Sequence, residues 1–406
     1  DAQSLWPGWR ALIPVLGAAL VVLAARQRSL FTGSRVAQWL GERSYSIYLW
    51  HWPLVVALVY AQRLNDPLWV AGGLLLTLVL GDQSYRYVEV LARRRVARMK
   101  PGAATALIVV TVLLCILPAR LIRTHDGYPQ RVPAAIAAVE AEKKNFDKRR
   151  SECRQADARC LYGGTTVAAI MLGDSHADAM VSSLAAALPD AEHGVLLRAT
   201  SGCYISFSPT FEAPKEACAQ LNREVRKSLE NDFAGVPVVL VTRTTGALFG
   251  GLPGEAEDPP LKRPVFGFGT RHEAFSPAYL AEVEKDFVDT ACQITRHHPL
   301  YLVRPTPEMG VNVPGSIARG LMWGRERPVT VSLADYHRRH AFVWAMQDKA
   351  KAQCGAQILD PLPLLCDGQQ CSGTHGGWPI YYDDDHLSES GNKVLRPMFE
   401  AVFKRG

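Results

Sequence analysis

The sequence predicts an α-helical membrane segment followed by an α/β domain of three layers with a mostly parallel sheet. Of its 406 residues, 48% are hydrophobic and only 21% are charged, a balance that is more apolar than that of an average soluble protein. Long uncharged runs lie within residues 1–120, where they approach the length that crosses a bilayer. Beyond them, short apolar runs alternate with longer amphipathic ones, which is typical of a parallel sheet covered by helices on both faces.

Four transmembrane helices are expected in the first part of the chain. The last is the clearest, since 19 uncharged residues lie between Lys100 and Arg120 and about 20 such residues span a bilayer. The second carries Tyr45, Tyr48, Trp50 and Trp52, aromatic residues of the kind that favour the interface between lipid and water. The alternative, buried helices of a large soluble protein, stays open. The four uncharged stretches are residues 11–25, 44–62, 67–81 and 101–119.

The distribution of charge predicts which side of the membrane each loop occupies. The net charge is +6, yet residues 1–120 hold 13 basic residues against 5 acidic ones. Arginines cluster between the first two spans and between the last two, so both loops should be cytoplasmic. Everything after Arg120 is then non-cytoplasmic. Because the basic surplus lies beside apolar runs, a nucleic acid partner is not expected.

Two motifs in the membrane segment carry a family resemblance. GERSYSIYLWHWPL (residues 41–54) and SYRYVE (residues 84–89) resemble the end of the type 3 membrane acyltransferase family. The resemblance implies that residues 1–92 are the C-terminal end of such a domain and that residues 101–120 form an additional transmembrane helix. In that family the main catalytic His and Arg residues lie on earlier helices, so we expect upstream membrane helices as a partner that this chain lacks.

The cysteines indicate an oxidising compartment. One of the nine, Cys115, lies in the last span, and eight follow it. Cys292 and Cys354 either pair or are buried thiols. No Cys and His cluster has zinc spacing, so no metal site is expected. Six cysteines form near-neighbour pairs that could close short disulfide loops, namely Cys153 with Cys160, Cys203 with Cys218, and Cys366 with Cys371.

The soluble part begins with a polar segment, residues 121–165, which we interpret as a linker or a docking helix. The α/β domain follows over residues 166–406. Its predicted strands are residues 167–172, 194–199, 236–241, 300–304 and 356–360, and its clearest amphipathic helices are residues 215–231, 276–296 and 335–353. In such a fold, chemistry collects at the carboxyl ends of the strands.

GDSHADAM, residues 173–180, follows the first predicted strand directly. Ser175 would lie at a strand-to-helix junction, where free N–H groups and the positive end of the helix dipole suit an oxyanion. That position suits a nucleophile. The alternative is that Asp174 or Ser175 only caps the helix.

Near the C-terminus, WPIYYDDDHLSESGNKVL places Asp383 three residues before His386. A serine hydroxyl needs an imidazole to take its proton, and a carboxylate on the other ring nitrogen fixes the tautomer. Ser175, His386 and Asp383 supply those groups. Asp384 and Asp385 compete for the carboxylate role, and an acidic surface loop is the alternative.

GDSH near the start and DxxH at the end resemble the SGNH hydrolase superfamily over residues 166–406. The resemblance implies Ser175 as nucleophile, His386 as general base and Asp383 as its orienting group. It also implies two oxyanion donors, the amides of Ser175 and of Gly202 in TSGCYIS. The family's GxND block is replaced here by VTRTTG, so its Asn donor is absent, and Arg243 is a candidate for that role or else a structural arginine.

Trp378 and Tyr381 precede the Asp and His pair, and aromatic rings hold the apolar faces of sugars. They are candidate substrate-binding residues, with core packing as the alternative.

The two resemblances together are similar to fused O-acetyltransferases that decorate bacterial surface glycans such as lipopolysaccharide O-antigen. They imply an inner-membrane protein with a periplasmic SGNH domain that binds no cofactor. Acetyl-CoA would supply the membrane domain, and an acyl-Ser175 intermediate would pass acetyl to a glycan hydroxyl. The alternatives are an SGNH carbohydrate O-acetylesterase and a non-catalytic module that positions glycan.

Overall fold

The computed structural model describes residues 12–24, 33–61, 63–64, 66–153, 160–252, 259–325 and 328–404. The chain divides into two compact units, the first ending at Ala134 and the second beginning at Ala135.

The first unit is helical. Asp66 caps one helix by accepting a hydrogen bond from the Leu68 amide, and Pro67 takes the first helical position, where its missing N–H costs nothing. The helices are α1 (Leu12–Ala24), α2 (Arg35–Tyr60), α3 (Pro67–Ser84), α4 (Val90–Val96) and α5 (Pro101–Thr124), with a π-helical turn over Tyr85–Glu89 between α3 and α4.

Among the described residues, α5 is the one helix that is both long and apolar enough to cross a membrane. It contains the predicted fourth span. The described part of α1 has 13 residues, fewer than a bilayer requires, and α2 carries Glu42 and Arg43 within its length. Four transmembrane helices therefore stay a prediction, of which one is supported.

The second unit contains a six-stranded sheet in the order β1-β3-β2-β5-β7-β9, in which β1 is antiparallel to β3 and the other neighbours are parallel. The predicted mostly parallel sheet is confirmed. All five predicted strands are present as β2, β3, β5, β7 and β9, whereas the short edge strand β1 was not predicted. The sheet strands are β1 (Cys160–Gly163), β2 (Thr166–Gly173), β3 (His193–Ala199), β5 (Val238–Val241), β7 (Leu300–Val303) and β9 (Gln357–Leu359).

Helices cover both faces of this sheet, so the unit has three layers. Alternate strand residues point to opposite faces, and each face has its own hydrophobic cluster. One includes α8 (Ser175–Ala186), α12 (Val313–Met322) and α15 (Glu389–Phe399). The other includes α9 (Glu216–Asn231), α11 (Pro277–Thr295) and α13 (Leu333–Cys354). The three predicted amphipathic helices are these last three.

Smaller elements complete the second unit. They are α6 (Ala134–Ala141), α7 (Arg150–Cys153), α10 (Thr244–Phe249) and α14 (Leu362–Leu365), with 3-10 turns at Glu142–Lys144 and Glu400–Val402. A further 3-10 turn, Pro129–Arg131, belongs to the first unit. Three two-stranded sheets pair β4 (Phe211–Glu212) with β6 (Gly267–Phe268), β8 (Thr330–Ser332) with β10 (Gln370–Ser372), and β11 (Thr374–His375) with β12 (Trp378–Pro379).

The segment that we interpreted as a linker or docking helix packs into the second unit from α6 onward. Ile136 and Val139 of α6 are buried, and so is the carboxylate-bearing Glu142 just after it. Glu142 accepts hydrogen bonds from the hydroxyl of Ser388 (2.6 Å) and the indole N–H of Trp378 (3.2 Å). This part of the segment is therefore a docked element of the α/β unit.

The eight cysteines after the last predicted span form four disulfides. The three near-neighbour pairings are confirmed. Cys292 of α11 also pairs with Cys354 at the end of α13, which resolves the alternative of two buried thiols. This last bridge joins two helices on the same face of the sheet.

Candidate active site

The nucleophile candidate lies where β2 ends and α8 begins. A Cβ atom on Gly173 would lie 1.7 Å from the carbonyl oxygen of Val241, so only glycine fits where β2 passes β5. Asp174 caps α8, its carboxylate accepting the His176 amide at 2.8 Å. Because Asp174 performs the capping, the Ser175 hydroxyl at the first helical position is available for other contacts.

That hydroxyl meets the predicted imidazole. Ser175 Oγ lies 2.8 Å from Nε2 of His386. On the opposite side of the ring, Nδ1 lies 2.9 Å from Oδ2 of Asp383 and 2.6 Å from Oδ1 of Asp385. The structure thus brings Ser175 to His386 and Asp383, which lie more than 200 residues later in the sequence. It also places Asp385, one of the two competing carboxylates, on the same ring nitrogen as Asp383.

The two carboxylates occupy different environments. The Asp383 side chain is 29% exposed, and its Oδ1 accepts the backbone N–H groups of Asp385 and His386, which fixes the turn. The Asp385 side chain is 5% exposed. The third acidic residue, Asp384, has a pKa raised by burial and by its acidic neighbours, and no contact joins it to the imidazole.

Charges around the imidazole favour its protonated form. Burial by itself would lower the pKa of His386, but the carboxylates of Asp385 and Asp383 raise it above its ordinary value. Burial likewise opposes ionisation of Asp385, yet His386 and His176 hold the pKa of that carboxyl well below its usual range. A basic imidazole held by an ionised carboxylate is suited to taking a proton from a hydroxyl.

Arg243 stabilises the buried carboxylate. It follows β5, and its backbone N–H donates to Oδ2 of Asp174 at 2.7 Å. Its Nε lies 2.8 Å from Oδ2 of Asp385 and 2.9 Å from Oε1 of Glu308. Its Nε is therefore committed to carboxylates, which differs from the predicted contact with an oxyanion, and the oxyanion role stays a prediction.

The amides of Ser175 and Gly202 keep positions that suit oxyanion donors. The Ser175 N–H belongs to the first turn of α8, where N–H groups lack intrahelical acceptors. Gly202 follows β3 in a left-handed conformation with a φ of 67°, which glycine adopts without strain. Their role as oxyanion donors stays a prediction.

The two predicted sugar-binding aromatics differ in exposure. Trp378 is 40% exposed and could meet a ligand. Tyr381 is fully buried in the core beside β2 and α8, so the prediction that it binds substrate is wrong. Residues 379–382 are all buried, and the sequence WPIYY, with three aromatic residues among five, did not show which rings would be enclosed.

Two rings stack with the imidazole, and neither of these contacts was predicted. Tyr382 stacks with His386 at a centroid distance of 5.2 Å and an interplanar angle of 14°. His176, the residue after the nucleophile, also stacks with it at 4.4 Å. His176 is the last residue of the GDSH motif, and its presence there was the signal that could have marked it as a site residue.

Two sets of residues at the site could group around a cation, one of His176, Asp385 and His386 and one of Asp383, Asp384 and Asp385; within each set the ligand atoms lie within 4.8 Å of one another. The guanidinium of Arg243 already contacts Asp385 there. A fixed positive charge at this point opposes a metal ion, since like charges in a buried site repel strongly.

Fold and site together define a three-layer α/β protein with a serine hydroxyl, an imidazole and carboxylates in hydrogen-bonding sequence at the carboxyl edge of a parallel sheet. Residues 145–401 match the model of the SGNH domain that is fused to AT3 domains. The chain therefore belongs to this SGNH family. Residues 1–82 match the acyltransferase domain, in agreement with the resemblance of the membrane segment.

Curated relatives align over short stretches. The putative peptidoglycan O-acetyltransferase YrhL of Bacillus subtilis (strain 168) is 33% identical over 91 residues, which are 21% of this chain and 14% of that protein. The peptidoglycan O-acetyltransferase OatA of Listeria monocytogenes serovar 1/2a (strain ATCC BAA-679 / EGD-e) is 25% identical over 95 residues, 22% of this chain and 15% of that protein. The matched part of the chain thus spans about a seventh of the length of these relatives.

A solved structure, the periplasmic domain of a lipopolysaccharide acetyltransferase of Salmonella ser. Paratyphi A, overlaps 62% of this chain and 86% of its own. It has 13% sequence identity and a TM-score of 0.41. With a TM-score and a sequence identity this low, the likeness indicates nothing about fold or substrate.

Proposed function

We propose that the protein is an O-acetyltransferase that transfers acetyl through an ester on Ser175 to a hydroxyl of a bacterial surface polysaccharide. The observation that carries the proposal is the 2.8 Å contact between Ser175 Oγ and Nε2 of His386, with carboxylates at Nδ1. The acyltransferase-domain match and the names of the relatives favour transfer of acetyl to a glycan. Lipopolysaccharide O-antigen and similar glycans are the proposed acceptors.

The proposed reaction has two steps. His386 Nε2 takes the proton of the Ser175 hydroxyl while Oγ attacks the acetyl carbonyl of the donor, and the departing group leaves with that proton. A sugar hydroxyl then gives its proton to Nε2 and attacks the ester, and Oγ regains the proton as it leaves. Acetyl-CoA on the cytoplasmic side is the proposed source of acetyl for the membrane domain, and upstream membrane helices are its proposed partner.

We further propose an inner-membrane protein whose second unit is periplasmic. The apolar helix α5 and the match to a membrane acyltransferase domain support membrane attachment. Four disulfides in the second unit are typical of an oxidising compartment. The cytoplasmic location expected for the arginine-rich loops supports the same orientation.

The test is surface-glycan acetylation in bacteria that express the protein with Ser175→Ala. We expect acetylation to be lost while the protein remains folded and in the membrane fraction. Unchanged acetylation would contradict the proposal and favour a glycan-positioning module. Release of free acetate faster than acetylation of native acceptor would instead favour an O-acetylesterase, because the same hydroxyl and imidazole serve water as an acceptor.

A further inference from the structure

One side chain contacts both the helix that carries the candidate nucleophile and a ring that stacks with the candidate base. Arg150 lies in α7, before the first strand of the sheet. Its Nε is 3.1 Å from Oδ2 of Asp178, and Asp178 lies on α8, one turn after Ser175. The Asp178 side chain is 2% exposed and that of Arg150 is 18% exposed, so water screens this ion pair only weakly.

The guanidinium group of Arg150 also lies on an aromatic face. Its central carbon is 4.9 Å from the ring centroid of Tyr382 and 5.0 Å from that of Phe146. Phe146 in turn packs edge-on against Tyr382 at 5.4 Å. Because Tyr382 stacks with His386, the contact continues from the guanidinium to the imidazole.

A guanidinium group suits this bridge better than an ammonium group. Its planar shape lets it lie on an aromatic ring while its N–H groups point sideways to a carboxylate. Lysine would keep the charge opposite Asp178 but would lose the stacked plane over Tyr382. The structure therefore offers a substitution that separates the charge from the geometry.

We propose that Arg150 is a positioning residue that sets the approach of Ser175 Oγ to His386 Nε2 by joining α8 to the loop that carries the imidazole. The proposal rests on the proposed function, because it assumes that this hydroxyl and this imidazole react together. Reacting atoms must be held closely, and a displacement of about 1 Å can cost roughly 100-fold in rate.

The test measures activation of Ser175 in the detergent-solubilised full chain with a fluorophosphonate probe. Oγ attacks phosphorus, fluoride leaves, and His386 takes the hydroxyl proton, so the rate constant reports the hydroxyl and imidazole pair. Loss of folded protein lowers the final amount of label without changing the rate constant, which separates positioning from a merely structural role. The variant is Arg150→Lys.

The matched control is Arg149→Lys. Arg149 is the neighbouring arginine and also lies over a tyrosine, with its central carbon 4.8 Å from the ring centroid of Tyr162. Its hydrogen bonds go to the Leu161 carbonyl and to Glu152, away from the imidazole loop. We expect Arg149→Lys to stay within about two-fold of the wild type.

For Arg150→Lys we expect labelling to slow by about ten-fold or more at every pH, with the midpoint of the pH profile retained. Tyr382→Leu, which removes the ring under the guanidinium, should slow labelling similarly. The double variant should be no slower than the slower single one, because both break the same bridge. These results would support the proposal. They can be obtained even if one of the single variants yields little folded protein, because the rate constant does not depend on the amount of protein.

A wild-type rate constant in Arg150→Lys would overturn the positioning role, and so would equal slowing in Arg149→Lys. Failure of the proposed function looks different. If Ser175 is not a nucleophile, the wild-type protein itself would not be labelled at Ser175, whatever residue stands at position 150. If the protein is an esterase, the wild type would be labelled but would release free acetate faster than it acetylates native acceptor, and the comparison of Arg150→Lys with Arg149→Lys would still decide the positioning role.

Discussion

Each unit of the protein contains a buried ion pair between an arginine and an aspartate, and the two pairs differ in what they contact next. In the first unit, Arg43 Nε of α2 lies 2.5 Å from Oδ1 of Asp82 on α3. The same guanidinium lies near the rings of Trp39 and Tyr85, with centroid distances of 4.9 and 4.7 Å. This pair joins two helices.

In the second unit, the pair of Arg243 and Asp385 continues into the candidate nucleophile and its candidate base. The other carboxylate oxygen of Asp385 contacts His386 at 2.6 Å, and His386 contacts Ser175 at 2.8 Å. The comparison teaches that a buried ion pair alone gives no indication of chemistry. Its meaning depends on whether the carboxylate also orients a group that can move a proton.

The largest effect should follow loss of the imidazole. His386→Gln keeps a side chain of similar size but cannot take the Ser175 proton at neutral pH. We expect acetyl transfer and fluorophosphonate labelling of Ser175 to fall by roughly 1,000-fold or more, in line with other serine triads. Rate constants measured on the full chain test this. A loss of less than about ten-fold would mean that another group activates the hydroxyl.

The two carboxylates at Nδ1 should differ in their effect on pH dependence. Activity needs neutral His386, so a raised pKa places the rising limb of the pH-rate profile at higher pH. Asp385→Asn removes the stronger of the two raising charges, and we expect the limb to move to lower pH. Asp383→Asn should move it less. Both should lower the plateau, by about 100-fold or more.

The measurement is the rate of Ser175 labelling from pH 5 to pH 10 in the wild type, Asp385→Asn and Asp383→Asn. If the rising limb of the pH-rate profile stays at the wild-type pH in both variants, neither carboxylate interacts with the imidazole in the working protein.

Breaking the ion pair of the first unit should affect stability and not chemistry. Arg43→Met leaves Asp82 without this partner, although Arg86 still contacts it at 2.9 Å. We expect lower resistance of α2 and α3 to proteolysis, and an unchanged rate constant for labelling of Ser175. Arg63→Met is the control, since Arg63 pairs with Asp66 in a part-exposed position. If Arg43→Met slowed labelling of Ser175 and Arg63→Met did not, the ion pair of the first unit would affect chemistry as well as stability, which would contradict this comparison.

The smallest predicted effect concerns the docked segment before the α/β domain. Glu142→Ala removes the acceptor of Ser388 and Trp378 and should destabilise the second unit by roughly 1–3 kcal/mol. Hydrogen exchange of the loop after Trp378 should quicken, whereas the exposed control Glu140→Ala should leave it unchanged. Equal exchange in both variants would show that this contact contributes little.

Much of the fold followed from hydrophobic periodicity. Runs such as residues 236–241 are apolar throughout because both faces of a central parallel strand are covered. Strand β1 was missed because its four residues, Cys160–Gly163, lie at the antiparallel edge and show no periodic pattern. The prediction of four transmembrane helices has less support, because the charged residues within α2 are compatible with either a membrane or a protein environment.

The site was predictable where chemistry demands particular residue types in a motif. The sequence predicted in this way that Ser175, His386 and Asp383 would meet, and the structure brings them together. Arg150 was not predicted, because a cation that contacts a ring and a distant carboxylate leaves no signature in spacing. Tyr381 was wrongly predicted to bind substrate for a related reason. Whether a tyrosine is buried or exposed is decided by tertiary packing and not by residue type.

The most direct test of the central claim is mass spectrometry of the full-length protein supplied with acyl donor and no acceptor glycan, then quenched by denaturation. We predict one acetyl group on Ser175 that disappears when acceptor glycan is added and is absent in Ser175→Ala. An acetyl group found on a different side chain, with Ser175 unmodified while the glycan still becomes acetylated on addition, would contradict the account.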